Sequence, residues 1–192
     1  NMWYDRDIDS VMNRTHHRPI ASGKVSPKEA MFLGLALSTA GVGVAYLLSP
    51  LYAAIIFAGI FFDVVVYTIL LKRRTCWSIV WGGIAGGMPI LSGRALGMGY
   101  IDIIGIILAL AVLFWIPTHI LTFSMRYRED YAAAGIPTFP STYGDSTTRI
   151  VIAIASVAAT LLIGSAAIMI GVEQGLLHFL GIFSGGLMVM AV

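Results

Sequence analysis

The chain opens on side chains able to handle an anion: Asn1, Asp5 and Asp9 recur every four residues, and Arg14 and Arg18 follow, again four apart. Four residues of α-helix turn through about 400°, so Asn1, Asp5 and Asp9 share one face with a drift of about 40° per step, and Asp7 points away from them. Carboxylates stacked on one face repel, which calls for a counter-cation between them. Oxygen donors suit a hard divalent ion, Mg²⁺ above all, which takes one or two carboxylates and completes its shell with waters and substrate phosphates. No Cys or His belongs to the set, which disfavours zinc. Guanidinium forks bind phosphate oxygens. Carboxylates, a metal and arginines together describe a diphosphate site. The same residues also fit a solvated helix end with ordinary surface pairs, and spacing alone does not separate the two.

Two further clusters carry chemistry. Asp63 and Tyr67 share a helix face inside an apolar stretch that ends in Lys72, Arg73 and Arg74. An acid inside a membrane span is a functional candidate, or it pairs with a polar group on a neighbouring helix. The Tyr67 ring could face a developing carbocation. Later, Pro117, Thr118 and His119 precede Arg126 and Asp130, which are i, i+4. Pro117 predicts a kink. His119 requires a cavity or a partner at its depth. Arg126 and Asp130 read as a pair whose interest lies in facing the same side as the first cluster. The small residues Gly82, Gly83, Gly86 and Gly87 predict close helix packing, and Cys76 reads as a small apolar residue at a helix start.

The elements that must position these groups are apolar. The 192 residues are 58% hydrophobic and only 11% charged, with a mean hydropathy of +0.86, whereas soluble domains carry roughly a quarter charged residues. Six stretches are long enough to span a bilayer, at about 30–48, 51–71, 76–93, 101–125, 148–171 and 175–192. They are too continuous for strands, so the fold class is an all-α, polytopic transmembrane bundle. No linker interrupts the pattern, which predicts a single domain over 1–192, with further helices expected beyond both ends. Eleven of the twelve Lys and Arg residues fall on one side of this alternation, leaving Arg94 on the other. The basic side is then cytoplasmic, and the polar segments 1–29 and 126–147 face it together.

The run Asn1, Asp5, Asp9, the stretch YDRDIDSVMNRTHHRPIASGKVSP, the stretch YTILLKRRTCWSIVWGGIAGGMP and the stretch REDYAAAGIPTFP resemble the UbiA-type intramembrane prenyltransferases, and within them the branch that farnesylates haem. The likeness runs from Asn1 to about Gly144. It implies a nine-helix fold around a central cavity in a prokaryotic plasma membrane, of which this chain would lack the first helix, most of the second, and the ninth. It implies Mg²⁺-dependent transfer of farnesyl from farnesyl diphosphate to a vinyl group of haem B, giving haem O for a downstream haem A synthase or terminal oxidase assembly. By motif match, Asn1, Asp5, Asp9 and Asp130 would hold metal and diphosphate, with Asp5, Asp9 and Asp130 as the catalytic acids. Arg14, Arg18, Lys72 and Arg126 would be anion contacts, Tyr67 a substrate contact, and His119 a candidate for haem contact. The sequence departs from the branch at Thr118, Ile120 and Thr138.

Rival readings are the same superfamily acting on a quinone precursor or lipid alcohol, a transporter or channel with Asp63 and His119 lining an ion path, and a structural membrane subunit. The second leaves three acid–base clusters on one side without a task, and the third explains the spans but none of the clusters.

Overall fold

Short polar signals set the helix starts. Ser26, with Pro27 behind it and Glu29 reaching back to its amide, forms a capping box that opens a 22-residue helix. Ser49 ends that helix and begins the next by accepting from the Tyr52 amide. In the computed structural model, which describes residues 1–172 together with 175, 178 and 181, the elements are α1 (Arg6–Val11), α2 (Pro27–Leu48), α3 (Pro50–Ile60) continued by a π-helical segment (Phe61–Leu71), α4 (Ser78–Met98), α5 (Ile103–Arg126), α6 (Arg128–Ala133) and α7 (Phe139–Ile170). There is no strand among the described residues.

The long helices α2, α3, α4, α5 and α7 pack in chain order, each against its neighbours. Four helical stretches are long and apolar enough to cross a membrane: Pro27–Leu48, Pro50–Leu71, Ile103–Arg126 and Phe139–Ile170. The expected span at 76–93 is helical, as α4, but is not one of the four. Six glycines and Arg94 dilute its apolar content, because α4 is built for proximity. A Cβ on Gly87 would lie 2.7 Å from the Ala109 carbonyl oxygen on α5, and Cβ atoms on Gly83 and Gly86 would lie 2.5 Å from the side chains of Leu113 and Ile116. The small-residue face therefore does what its spacing predicted. Gly83 also sits over the Leu113 carbonyl, which Pro117 deprives of its helical donor, and α5 continues through Pro117 as one helix. At the far end of this hairpin Arg94 forks onto Asp102, which also caps α5 by accepting from the Gly105 amide.

Two boundaries differ from the pattern. The polar segment 126–147 is largely helical, because α6 occupies its start and α7 begins at Phe139, with a capping box between Thr138 and Ser141. Gly144, at φ 81° and ψ 166°, breaks α7 near its start, a conformation open to glycine. The sixth expected span, 175–192, lies outside the described residues apart from three isolated positions.

The π winding of Phe61–Leu71 decides which side chains can meet. Its register is visible in the Lys72 amide, which donates to the Tyr67 carbonyl at 2.8 Å, five residues back. Nine residues of α-helix turn through about 900°, which would put Asp63 and Lys72 on opposite faces. With i→i+5 bonding the advance is roughly 80° per residue, so nine residues complete close to two full turns and both side chains face the same neighbour. That neighbour is the segment carrying Asn1 and Asp5.

Candidate active site

Backbone bonds from the Asp5 amide to the Asn1 carbonyl, 3.0 Å, and from the Asp9 amide to the Asp5 carbonyl, 2.8 Å, stack these three residues on one helical face as their spacing predicted. Asp5 and Asp9 are each only 4% exposed. Ionised carboxylates so deeply placed require cationic partners, and each has one. Lys72 donates to Asp5 at 2.6 Å, and one Arg18 nitrogen donates to both Asp9 oxygens at 3.0 and 2.9 Å. The counter-charge inferred from the stacked acids is therefore supplied by the protein's own cations. Asn1 donates its side-chain amide to Asp63 at 2.7 Å, which gives the intramembrane acid a partner on the neighbouring element.

Arg73 extends the cluster. It forks onto Asp7, 2.7 Å from each oxygen, donates to the Tyr4 carbonyl at 3.0 Å and lies 4.0 Å from Asp5. Asp7 does point away from the Asp5 face, outward to Arg73, whose guanidinium holds its carboxyl down at about 2; Asp7 in turn raises Arg73. Arg73 is not among the residues that motif and spacing assign to the site. The available signal was the matching of two adjacent cations, Lys72 and Arg73, to acids two apart, Asp5 and Asp7.

Asp130, 7% exposed, does not pair with Arg126. Its two oxygens accept the backbone amides of Asn13 and Arg14 at 3.2 and 3.1 Å. The reason is that Asp130 lies on α6, a separate helix from the α5 end that carries Arg126, so the i, i+4 geometry of one continuous helix does not apply. The two polar motifs, far apart in sequence, thereby form one site. Burial pushes the neighbouring Tyr131 phenol up, with Asp130 adding to the effect against Arg14 and Arg18.

Behind Lys72 a small cavity is lined by Tyr67, Cys76, Ile79, Leu121, Ser124, Tyr131, Ile136 and Phe139 among others. Cys76 is buried with Leu121, Phe139 and Ile152, as its apolar reading required. Tyr67 lies against Gly82, where a Cβ would approach its ring to 3.3 Å, and the Lys72 ammonium stands 6.0 Å from the ring centroid. His119 and Arg126 lie outside this cavity, exposed on α5.

Among the described residues no three His, Cys, Asp or Glu side chains converge on a point where a metal could sit, so Asn1, Asp5, Asp9 and Asp130 do not form a closed cage. A Mg²⁺ that relies on substrate phosphates needs less. One observation fits it: Asp5 Oδ1 is buried without a hydrogen-bond partner, its nearest cation being Arg73 at 4.0 Å, so it is the least firmly held carboxylate oxygen of the pair. Asn1, whose amide nitrogen is given to Asp63, retains its side-chain oxygen as a second donor.

Comparison with known proteins agrees with this architecture. The UbiA prenyltransferase family model matches residues 1–192, and the chain belongs to that family, whose members are polytopic helical membrane proteins. It is 45% identical over 165 residues, 86% of this chain and 58% of the relative, to a protoheme IX farnesyltransferase of Archaeoglobus fulgidus. It is 44% identical over 154 residues, 80% of this chain and 52% of the relative, to one of Korarchaeum cryptofilum. A third, from Azorhizobium caulinodans, is 45% identical over 150 residues, 78% of this chain and 49% of the relative. The chain spans about half the length of the curated relatives it matches. No solved structure matches it.

Proposed function

We propose that the protein transfers a farnesyl group from farnesyl diphosphate to a vinyl group of haem B, water adding to the other vinyl carbon and diphosphate leaving, to give haem O, with its polar site towards the cytoplasm. The observation that carries this reading is the Asp5 cluster: a buried acid with one oxygen lacking a hydrogen-bond partner, held by Lys72 and approached by Arg73, with Arg18 on the neighbouring Asp9 and Lys72 reaching the small apolar cavity behind it. The relatives' names supply donor and acceptor.

In this reading Lys72, Arg73 and Arg18 exchange part of their hold on Asp5, Asp7 and Asp9 for diphosphate oxygens. They are thereby placed to take up the charge that develops as the leaving group separates. Asp5 and Asn1 would hold Mg²⁺, which when bound neutralises the leaving diphosphate. Asp130 fixes the loop at Asn13 and Arg14 beside the site, which positions the Arg14 and Arg18 side chains. The apolar side chains behind Lys72, among them Ile79, Leu121, Ile136 and Phe139, would wall the first carbons of the isoprenoid and keep water from an allylic cation until it reaches the acceptor. Tyr67, at the cavity wall, offers its ring face to that cation.

The test is to incubate the complete protein in liposomes with Mg²⁺, farnesyl diphosphate and haem B, beside an Asp5→Ala variant, following haem mass. Farnesylated haem formed only with intact Asp5 is the expected result. Product with a quinone precursor or lipid alcohol, and none with haem, overturns the acceptor and leaves the prenyl transfer.

A further inference from the structure

Asp63 stands half-buried within an apolar span, a costly position for an acid. Unlike Asp5, Asp7 and Asp9 it meets no cation among the described residues. Its carboxylate accepts one bond there, from the Asn1 side-chain amide at 2.7 Å. What that bond achieves lies in what it does to Asn1.

The π-helical segment grips the first motif at two points. Asp63 takes Asn1, and nine residues further on Lys72 takes Asp5 through Oδ2 at 2.6 Å. Asn1 and Asp5 are adjacent turns, joined by the 3.0 Å bond between their backbones. Each grip uses one end of its side chain and leaves the other. Asp5 keeps Oδ1, buried without a hydrogen-bond partner and 4.0 Å from Arg73, and Asn1 keeps its carbonyl oxygen. The two ends differ in kind. Either oxygen of Asp5 can ligate a cation, so the choice of atom held by Lys72 is indifferent. The Asn1 amide is a donor at one end and an acceptor at the other, and only its oxygen suits a hard cation. Its partner decides which end is offered. A carboxylate accepts and does not donate, so Asp63 holds the nitrogen and turns the oxygen away from itself. The reversed amide would set oxygen against oxygen.

We propose that Asp63 is a positioning residue, which fixes the Asn1 amide with its oxygen offered, together with Asp5 Oδ1, to the divalent cation that accompanies the diphosphate. The inference rests on the prenyl-transfer reading above and holds for any acceptor. Without Asp63 the amide is free to present its nitrogen to the neighbouring acids, where it competes with the cation it should bind. The π winding is part of the device, because it brings Asp63 and Lys72 to the same neighbour.

The experiment is a Mn²⁺ titration into the complete protein in liposomes with inorganic pyrophosphate, read by electron paramagnetic resonance against protein-free liposomes, with Mn²⁺ standing in for Mg²⁺. Asp63→Asn is expected to weaken Mn²⁺ binding about tenfold, the scale of one lost charge-assisted hydrogen bond. The Mg²⁺ concentration for half-maximal farnesyl transfer should rise by the same factor. Asn1→Asp combined with Asp63→Asn exchanges donor and acceptor, again leaves one oxygen of residue 1 to the site, and should restore both. A merely structural acid would lower the metal-free unfolding temperature and the rate at every Mg²⁺ concentration, without moving the half-saturation. Unchanged Mn²⁺ affinity in Asp63→Asn, or an exchange that binds Mn²⁺ no better, overturns the assignment. Should Asp63→Asn fail to fold, the exchange alone decides, by binding Mn²⁺ as the unaltered protein does or by failing to. Farnesyl transfer by an unaltered protein that binds no Mn²⁺ overturns the assignment and leaves the proposed function standing. If the unaltered protein neither binds Mn²⁺ nor transfers farnesyl, both fall together.

Discussion

The cluster around Asp5 and the aromatic, polar end of α5 handle charge in opposite ways. Around Asp5 every acid meets a cation or an amide donor: Lys72 on Asp5, Arg73 on Asp7, Arg18 on Asp9, Asn1 on Asp63. Against α5 the cations Arg14, from the segment after α1, and Arg126, at the end of α5, rest on aromatic rings and meet no acid among the described residues. The first arrangement is stable by itself and gains an anion only by exchange, which suits a diphosphate that arrives with its own metal. The second is left short of negative charge and gains an anion directly. Two anions offered to the two regions would be taken up by different routes through this difference alone.

The comparison is broken most directly at Asp5. Asp5→Asn should lower farnesyl transfer on the order of 10²–10³-fold, as for loss of a group aimed at developing charge, while haem B binding, read by absorption, stays unchanged. Lys72→Met should cost about 3–5 kcal/mol of stability by leaving Asp5 buried and uncompensated. The double variant Asp5→Leu with Lys72→Met should recover most of that stability without activity, a contrast read by thermal unfolding and mass analysis.

The next largest effect tests the π winding. Deleting Val65 turns Lys72 by roughly 80° relative to Asp63 and should remove activity nearly as fully as Asp5→Asn, whereas Val65→Ala should stay near the unaltered rate. Equal rates for the deletion and the substitution would show that the shared face of Asp63 and Lys72 is not needed. Gly87→Ala places a methyl 2.7 Å from the Ala109 carbonyl and should lower stability by about 1–3 kcal/mol, seen as a reduced unfolding temperature in detergent with the haem spectrum retained. The smallest effect is at Asp7. Its carboxyl, held at about 2 against an ordinary 3.8, contributes stability that is fully present above its unfolded value and is lost as pH falls through about 2. Because Asp7 is largely exposed, Asp7→Asn should cost no more than about 1 kcal/mol and flatten the acid limb of a stability–pH profile.

Much of this was legible in the residues. A four-residue spacing was sufficient to place Asn1, Asp5 and Asp9 on one face, and the Gly82–Gly87 run announced the close approach of α4 to α5. The pairing of Asp63 and Lys72 with one neighbour was not legible, because α-helical arithmetic sets them on opposite faces and the wider winding leaves no mark in residue types. The Asp130 contact failed for a related reason. Arg126 and Asp130 look like neighbours on one helix, but the chain changes helix between them, and Asp130 turns to amides that lie far away in sequence. α6 leaves no mark in the pattern, because six residues of mixed polarity carry too little periodicity to stand out from a loop.

That last contact orders events during synthesis. The amides of Asn13 and Arg14 precede Asp130 by 117 and 116 residues, so at roughly 5–20 residues per second they leave the ribosome some 6 to 23 s before their acceptor. Until α6 has been made, the segment bearing Arg14 and Arg18 is held only by local contacts such as Arg18 on Asp9 and Thr15 on the Asp9 carbonyl. A partly inserted chain therefore carries its first acidic motif without the contact that joins it to α6, and the two polar motifs become one site only once the later helices have been made.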